Sequence, residues 1–144
     1  MKLVLKRILF YILSFTWGGL MSIIGLFVLL VTLPFGKFGV YHGRIYKRIG
    51  KHWGGVELGC FFLCDQTCSE STMAHEAGHG LQNCIWGPLM PFVICIPSAV
   101  RYWYREIIYR TNREKYRKLP DSDAIWFEGQ ATKWGLKYVK TDRL

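Results

Sequence analysis

The feature that most constrains this chain is a long uncharged segment near its N-terminus. No charged residue occurs from Ile8 to Phe35, a run of 28 positions that follows Lys2, Lys6 and Arg7. A helix of about 20 apolar residues is long enough to cross a bilayer. The run therefore predicts a membrane anchor in residues 1–36.

Two topologies fit this anchor: a single tilted transmembrane helix, or a hairpin broken at its glycines, where Gly18-Gly19 and Gly25 are the places that could bend. A signal peptide is not expected, because no alanine precedes Ala74 and an Ala-x-Ala cleavage site is therefore missing. Basic residues are more numerous after the segment than before it, which favours a cytoplasmic location for the rest of the chain. Those that follow closely are Lys37, Arg44, Lys47, Arg48 and Lys51.

The composition of the chain favours a membrane partner over a nucleic acid. Hydrophobic residues make up 51% of the 144 residues, and 19 Lys and Arg against 10 Asp and Glu give a net charge of +9. This combination predicts contact with an anionic lipid bilayer. No helix-turn-helix, RNA-recognition or zinc-finger pattern is present, so no nucleic acid is expected as a partner. Five cysteines cannot all pair, and we expect reduced thiols.

A second apolar stretch lies in the C-terminal half. Residues 85–100 form a stretch of 16 residues with three prolines. This stretch is too short for a spanning helix and too rich in proline for a regular helix. Residues 101–118 mix aromatic side chains with Arg and Lys, which is typical of protein segments that lie at a bilayer interface. Together they predict a re-entrant or interfacial segment at 85–118; the alternative is a basic amphipathic helix that packs on the domain.

The region between the two apolar stretches predicts a strand followed by a helix. Residues 37–53 form a basic connector, and Gly54–Asp65 is predicted as one strand. Thr67 and Glu70 have the spacing of a capping box, which predicts a helix that starts near Cys68, runs through Gln82 and is stopped by Trp86-Gly87-Pro88. A later helix is predicted in the sequence DAIWFEGQATKWG. Its expected cap is Asp121 or Ser122, and its expected last residue is near Gly135.

The first of these helices carries the sequence HEAGH. His75 and His79 are one helical turn apart on one face, as two imidazoles that bind one zinc ion must be. Glu76 is rotated about 100° from His75, too far to be a ligand, but it can act as a general base on a metal-activated water. The alternative is a helix whose polar residues spell this short motif by chance.

A site with two histidines needs a third protein ligand. No histidine follows His79, so the remaining downstream candidates are carboxylates: Glu106, Glu114, Asp121, Asp123, Glu128 and Asp142. Glu128 is favoured because it lies among aromatic residues in WFEGQA, and a buried carboxylate needs a partner.

HEAGH together with WFEGQA resembles the gluzincin metallopeptidases. The resemblance implies that His75, His79 and Glu128 bind zinc (Zn²⁺) and that Glu76 is the catalytic base. It also implies a peptide or protein substrate, held in extended form by the strand at 55–65. The expected fold class is α+β: the N-terminal transmembrane helix or hairpin, then a minimal zincin-like domain at 37–144. That domain would contain a short edge strand or sheet, the HExxH helix and a second helix that carries the glutamate.

Among gluzincins, the chain is most similar to membrane-embedded ones. A hydrophobic stretch lies within the 48 residues between His79 and Glu128, as in the prenyl-protein endopeptidases and their bacterial heat-shock relatives. The sequences HEAGHGLQ, GPLMPFVICIPS and EGQA also resemble a set of small bacterial membrane proteins, which implies the bacterial inner membrane. Thr132 is a departure, because many soluble gluzincins have an aspartate there that orients a histidine.

The resemblance implies a membrane-anchored zinc metalloendopeptidase that hydrolyses peptide bonds. The alternative is a non-catalytic membrane protein that retains the metal site for stability or for binding a partner. The sequence singles out no residue that would stabilise an oxyanion.

Overall fold

Helices dominate the fold, and one small sheet completes an α+β architecture. The computed structural model describes residues 2–142; the chain is 66% helical, and its four strands form a mixed sheet. The α-helices are α1 (Lys2–Phe15), α2 (Gly19–Val31), α3 (Glu70–Trp86), α4 (Ile96–Thr111), α5 (Arg113–Arg117) and α6 (Trp126–Asp142). The strands are β1 (Lys37–Tyr41), β2 (Arg44–Arg48), β3 (Gly55–Leu58) and β4 (Phe61–Cys64).

The N-terminal apolar segment forms two helices rather than one. The chain bends by 88° between α1 and α2, at Gly18-Gly19, which was one of the two places where the sequence allowed a bend. The expectation of one continuous transmembrane helix is therefore wrong. Within residues 2–142, no single helix combines the length and the apolar composition that a membrane crossing requires. Two bent helix pairs pass the same test jointly: residues 3–15 with 19–31, and residues 70–89 with 91–111.

The bent pair α1–α2 packs against the sheet and α3. Gly25 lies against β3, because a Cβ added there would be 2.3 Å from the carbonyl oxygen of Leu58. The hydroxyl of Ser22 donates to the carbonyl of Ser14 (2.5 Å) and accepts from the Cys60 N–H (3.2 Å). The division into an anchor at 1–36 and a separate domain at 37–144 stays a prediction.

The sheet contains two hairpins, neither of which the sequence analysis identified. The strand order is β1-β2-β4-β3, with antiparallel pairs β1–β2 and β3–β4 and a parallel pair β2–β4. The region predicted as a connector forms β1–β2 around His42-Gly43, both with the positive φ that a two-residue hairpin turn favours. The single strand predicted at 54–65 is instead β3–β4, which turns at Gly59 (φ +79°).

The HEAGH helix α3 was predicted correctly in type, but its start was wrong. Ser69 is the N-cap, and its side chain accepts from the Thr72 N–H. Thr67, the predicted cap, instead donates to Asp65. At the other end α3 ends at Trp86, before Gly87 (φ +51°), as the sequence predicted.

Helix α6 crosses α3 at very close range. A Cβ added to Gly78 would lie 1.8 Å from the carbonyl oxygen of Ala131, and one added to Gly135 would lie 1.7 Å from that of Ala74. Only glycine fits at these two crossings. The expectation that Gly135 ends the helix is therefore wrong: α6 runs past it to Asp142, and the glycine is a packing residue.

The second apolar stretch is helical, but irregular where the prolines lie. A 3₁₀ turn (Gly87–Leu89) and a π turn (Pro91–Cys95) precede α4, which has Pro97 in its first turn, where the missing N–H is tolerated. Every residue of α4 and α5 is exposed or half-buried. The assignment of residues 85–118 to a bilayer interface stays a prediction.

Candidate metal centre

Three ligand atoms from two helices converge at one point. The Nε2 atoms of His75 and His79 on α3 lie 3.0 Å apart. The Oε2 atom of Glu128 on α6 lies 3.0 Å from the first and 3.2 Å from the second. The structure therefore brings together the three residues that the sequence analysis selected, although 48 residues separate His79 from Glu128.

These distances fit a tetrahedral zinc site. With Zn–N and Zn–O distances of about 2.0–2.1 Å, neighbouring ligand atoms lie about 3.3 Å apart. The separations of 3.0–3.2 Å are within a few tenths of an ångström of that value. Two imidazoles and one carboxylate are also the donor set of catalytic zinc sites, which keep the fourth position open.

The remaining polar atoms of the two histidines are held by neighbouring side chains. His75 Nδ1 lies 2.8 Å from Thr132 Oγ1, and His79 Nδ1 lies 2.7 Å from Gln82 Oε1. When Nδ1–H donates to these oxygens, each Nε2 is the nitrogen that faces the site and could present its lone pair to a metal. Thr132, the residue noted as a departure from the gluzincin pattern, thus lies in the position that orients His75.

Glu128 is oriented in the same way. The hydroxyl of Ser98, at the start of α4, donates to its Oε1 atom at 2.5 Å and leaves Oε2 for the site. Gln82 connects α3 to α6, because its Nε2 donates to the carbonyl of Phe127 (2.8 Å) and to Gln130 Oε1 (2.9 Å). Ser98, Gln82 and Gln130 were not among the residues predicted for the site. Gln82 had a local signal, its place three residues after the second histidine of the motif.

Glu76 lies beside the ligands but does not join them. Its carboxylate packs against β3, where a Cβ on Gly55 would be 2.8 Å from Glu76 Oε1. The residue is 6% exposed and borders a cavity of about 740 Å³ that also contacts His75, His79 and Glu128. It therefore occupies the place expected of a base and not that of a ligand.

Polar and apolar side chains both line the cavity. The polar residues include the three ligands, Glu76 and Ser98, and also Glu57, Arg101, Arg105 and Glu106. Apolar walls come from Met21 of α2 and from the turns before α4, with Met90 and Ile94. Strand β3 and the first half of α4 form the sides. A cavity of this volume can hold several residues of an extended peptide.

Burial and charge shift the pKa values of the site residues. Burial would raise the pKa of Glu128, but hydrogen bonds from His75, His79 and Ser98 keep it well below its usual range. Burial would lower the pKa of His79, but the hydrogen bond to Glu128 and the charges of Glu76 and Glu128 raise it to about 9. Burial raises the pKa of Glu76 above its ordinary value, against the opposing effect of the two histidines. A raised carboxylate pKa suits a general base that works near neutral pH.

The other carboxylates considered as ligands do not join the three converging ligand atoms, although Glu106 lines the same cavity. Glu106 and Glu114 form i,i+4 ion pairs with Arg110 and Lys118. Asp142 accepts from Arg7 (2.6 Å) and pairs with His42 (2.5 Å) at the opposite end of α6 from Glu128. Asp121 and Asp123 are exposed.

Comparisons of this chain with protein-family models, with curated proteins and with solved structures found no match.

Proposed function

We propose that this protein is a membrane-anchored zinc metalloendopeptidase. The observation that carries the proposal is the convergence of His75, His79 and Glu128 at zinc-ligand distances, with Glu76 beside them at the wall of the same cavity. A site built only for stability has no need of a buried carboxylate next to an open coordination position.

The residues around the site suit peptide hydrolysis. Zinc, when bound, acts as a Lewis acid and lowers the pKa of a bound water to about 7. Glu76 would take the proton from the attacking water and deliver it to the leaving nitrogen. Among the described residues, β3 pairs with β4 alone, so its other edge is available for main-chain pairing with an extended substrate.

The anchor in this proposal is the bent pair α1–α2 in an anionic bilayer, the bacterial inner membrane, with the site on the cytoplasmic side. Large apolar side chains are exposed along both helices, including Leu5, Ile8, Ile23 and Phe27 at 50–68%. Water does not favour such a surface, whereas lipid does. The net charge of +9 adds attraction to anionic headgroups.

A second candidate function is a non-catalytic zinc protein. The observation that favours it is the position of the Glu76 carboxylate, which lies against the backbone of β3 at Gly55 and not among the three ligand atoms. In this case the metal would join α3 to α6, and its binding free energy would stabilise the fold.

The metal assignment is tested by zinc analysis of the purified full-length chain. We expect about one zinc per chain for the wild type and loss of zinc for His75→Ala, because a two-ligand site binds far more weakly. His52→Ala is the matched control, since this histidine is exposed and outside the cavity. Full zinc content in His75→Ala would refute the ligand assignment.

Catalysis is tested with Glu76→Gln, which keeps the size of the side chain but removes its basicity. We expect the variant to bind zinc like the wild type and to lose cleavage of unfolded proteins and peptide libraries by a factor of about 10² to 10⁴. Glu114→Gln, an exposed site on α5, is the control and should retain activity. Undiminished cleavage by Glu76→Gln refutes the assigned mechanism. Zinc binding without cleavage by the wild type selects the non-catalytic alternative.

A further inference from the structure

Helix α4 has two opposite faces with different surroundings. Ser98, Arg101 and Arg105 line the cavity of the candidate site. At about 100° per residue, these three positions lie on roughly the opposite side of the helix from Ile96 and Val100. The inner face of α4 is thus a wall of the site, and its outer face points away from the protein.

The outer face is an uncovered apolar stripe. Its four residues recur at spacings of four, three and four, which places them within an arc of about 60°. They are Ile96, Val100, Trp103 and Ile107, which are 53%, 64%, 61% and 57% exposed. Trp103 also reaches the rim of the cavity. The stripe and the mouth of the site are therefore neighbours.

Helix α4 and the short helix α5 that follows it form a helical hairpin (residues 96–118), which is strongly basic beyond residue 100. Residues 101–118 contain seven Arg and Lys against two Glu. Aromatic side chains hold several of these cations: Arg113 lies 3.7 Å from the ring centre of Tyr109, and Arg105 lies 5.4 Å from that of Tyr116. An apolar stripe with aromatic residues beside a cluster of cations is the pattern of a helix that lies in an anionic bilayer interface.

We propose that the α4–α5 hairpin (residues 96–118) docks on an anionic lipid surface through the stripe Ile96, Val100, Trp103 and Ile107, with its basic end on lipid phosphates. The candidate site then opens along the membrane surface. Its substrate, which rests on the proposed peptidase function, is a peptide segment at the bilayer interface.

Charge favours a lipid surface over a second copy of this chain. Two hairpins that pack stripe to stripe would each carry the net positive charge of residues 101–118 into the complex, and repulsion between the two like charges opposes association. Anionic headgroups instead neutralise these cations, and each Lys or Arg near the surface raises the affinity for the membrane about fivefold.

The test places the full-length chain in phosphatidylcholine vesicles with or without phosphatidylglycerol, with bromine on the acyl chains as a quencher. The contribution of Trp103 is the difference in fluorescence between the wild type and Trp103→Phe. We expect it to be quenched in vesicles that contain phosphatidylglycerol and much less in phosphatidylcholine alone. Backbone hydrogen exchange over residues 96–118 should slow in the same vesicles.

Two triple variants separate the hairpin from general charge. Arg110→Gln, Arg113→Gln and Arg117→Gln together should weaken docking on the order of 100-fold. Lys133→Gln, Lys137→Gln and Lys140→Gln remove the same charge from exposed positions on α6 and should leave docking unchanged. Far-ultraviolet circular dichroism, which does not depend on zinc binding, serves as the check that both triple variants are folded.

Several outcomes would overturn the proposal. The first is that Trp103 remains unquenched in both kinds of vesicle, and the second is that its quenching is equal with and without phosphatidylglycerol. The third is that the two triple variants lose docking to the same extent. If the stripe is protected from hydrogen exchange in detergent, and this protection grows with protein concentration, the stripe binds a second copy of the chain. If RNA protects the stripe and vesicles do not, the stripe binds a nucleic acid. None of these measurements requires catalysis, so their failure is distinguishable from failure of the peptidase proposal.

Discussion

The hydroxyl of Thr132 determines the orientation of one imidazole at the candidate site. It lies 2.8 Å from His75 Nδ1, and a valine there would keep the shape of the side chain but remove the acceptor. We expect Thr132→Val to weaken zinc binding about 10- to 100-fold, as losses of such supporting hydrogen bonds do. Competition with a chromophoric chelator measures this change.

Thr132→Ser is the matched control, since it retains the oxygen and loses only a methyl group. Its zinc affinity should stay close to that of the wild type. Equal affinities for the valine and serine variants would show that the hydroxyl does not orient His75.

Asp65 ties together the loop before the HEAGH helix and makes it sensitive to acid. Its carboxylate accepts from the Oγ1 and N–H of Thr67 (2.6 Å each) and from the N–H groups of Trp53 (2.9 Å) and Gly54 (2.7 Å). These hydrogen bonds hold the pKa of Asp65 well below its ordinary value of 3.8, and the one from the Thr67 side chain has the largest effect. The ionised form is thus favoured by the native state.

The sign of the pH effect follows from this lowered pKa. The stability that Asp65 contributes is fully present above about pH 4 and is lost as the pH falls towards its native pKa. We expect denaturant unfolding of the metal-free chain to show a decline in stability below pH 4 that is smaller in Asp65→Asn. Identical slopes for the two proteins between pH 4 and 2 would exclude this role.

At the scale of elements, the site depends on how closely α3 and α6 approach. Gly135→Ala would place a Cβ 1.7 Å from the carbonyl oxygen of Ala74, which is backbone and cannot rotate away. The two helices would have to separate and move Glu128 from the histidines. We expect a loss of at least about 2 kcal/mol in the free energy of unfolding, together with weaker zinc binding.

Gly19→Ala is the control for this substitution, because nothing lies within 4 Å of a Cβ there. In helix α2 it should leave the stability unchanged or raise it by up to about 1 kcal/mol. Chemical denaturation in detergent compares the variants. A Gly135→Ala protein as stable as Gly19→Ala would contradict the close crossing.

The elements that could be predicted are those whose signal is local. HEAGH has its two histidines one turn apart, and the adjacent glycines Gly18-Gly19 were one of two places where a bend was expected if the helix is broken. Glu128 could be selected because its aromatic neighbours required a partner for a buried carboxylate. These arguments need no knowledge of distant contacts.

The elements that were missed depend on distant contacts. Strand β2 reads as a basic connector, yet its Lys47 is fully buried and donates to the carbonyl of Thr32 at the end of α2. Gly135 looks like a helix end until Ala74 is seen to lie against it. Ser98 reaches Glu128 across 30 positions of sequence and has no local signal.

At the scale of the whole molecule, α1 and α2 are part of the fold that holds the site. Phe10, Met21 and Leu29 are 5–6% exposed, and they belong to one hydrophobic cluster with residues of β3, β4 and α6. Asn83 of the HEAGH helix donates to the carbonyl of Gly18 (3.2 Å), and Cys60 donates to Ser22. Removal of the N-terminal segment would therefore expose apolar surface and leave buried donors without acceptors.

We accordingly expect a fragment of residues 37–144 not to fold or to bind stoichiometric zinc. Each large apolar side chain that loses its burial costs about 1.5–3 kcal/mol, and each buried donor left unpaired costs about 1–3 kcal/mol. Together these losses reach the 5–15 kcal/mol that typically stabilises a domain. A protease site placed at the exposed residues 34–36 supplies the control. The nicked chain, whose pieces remain together in detergent, should keep its near-ultraviolet circular dichroism and its zinc, whereas the separated fragment should lose both. A folded fragment with one zinc per chain would instead make the N-terminal segment a separable anchor.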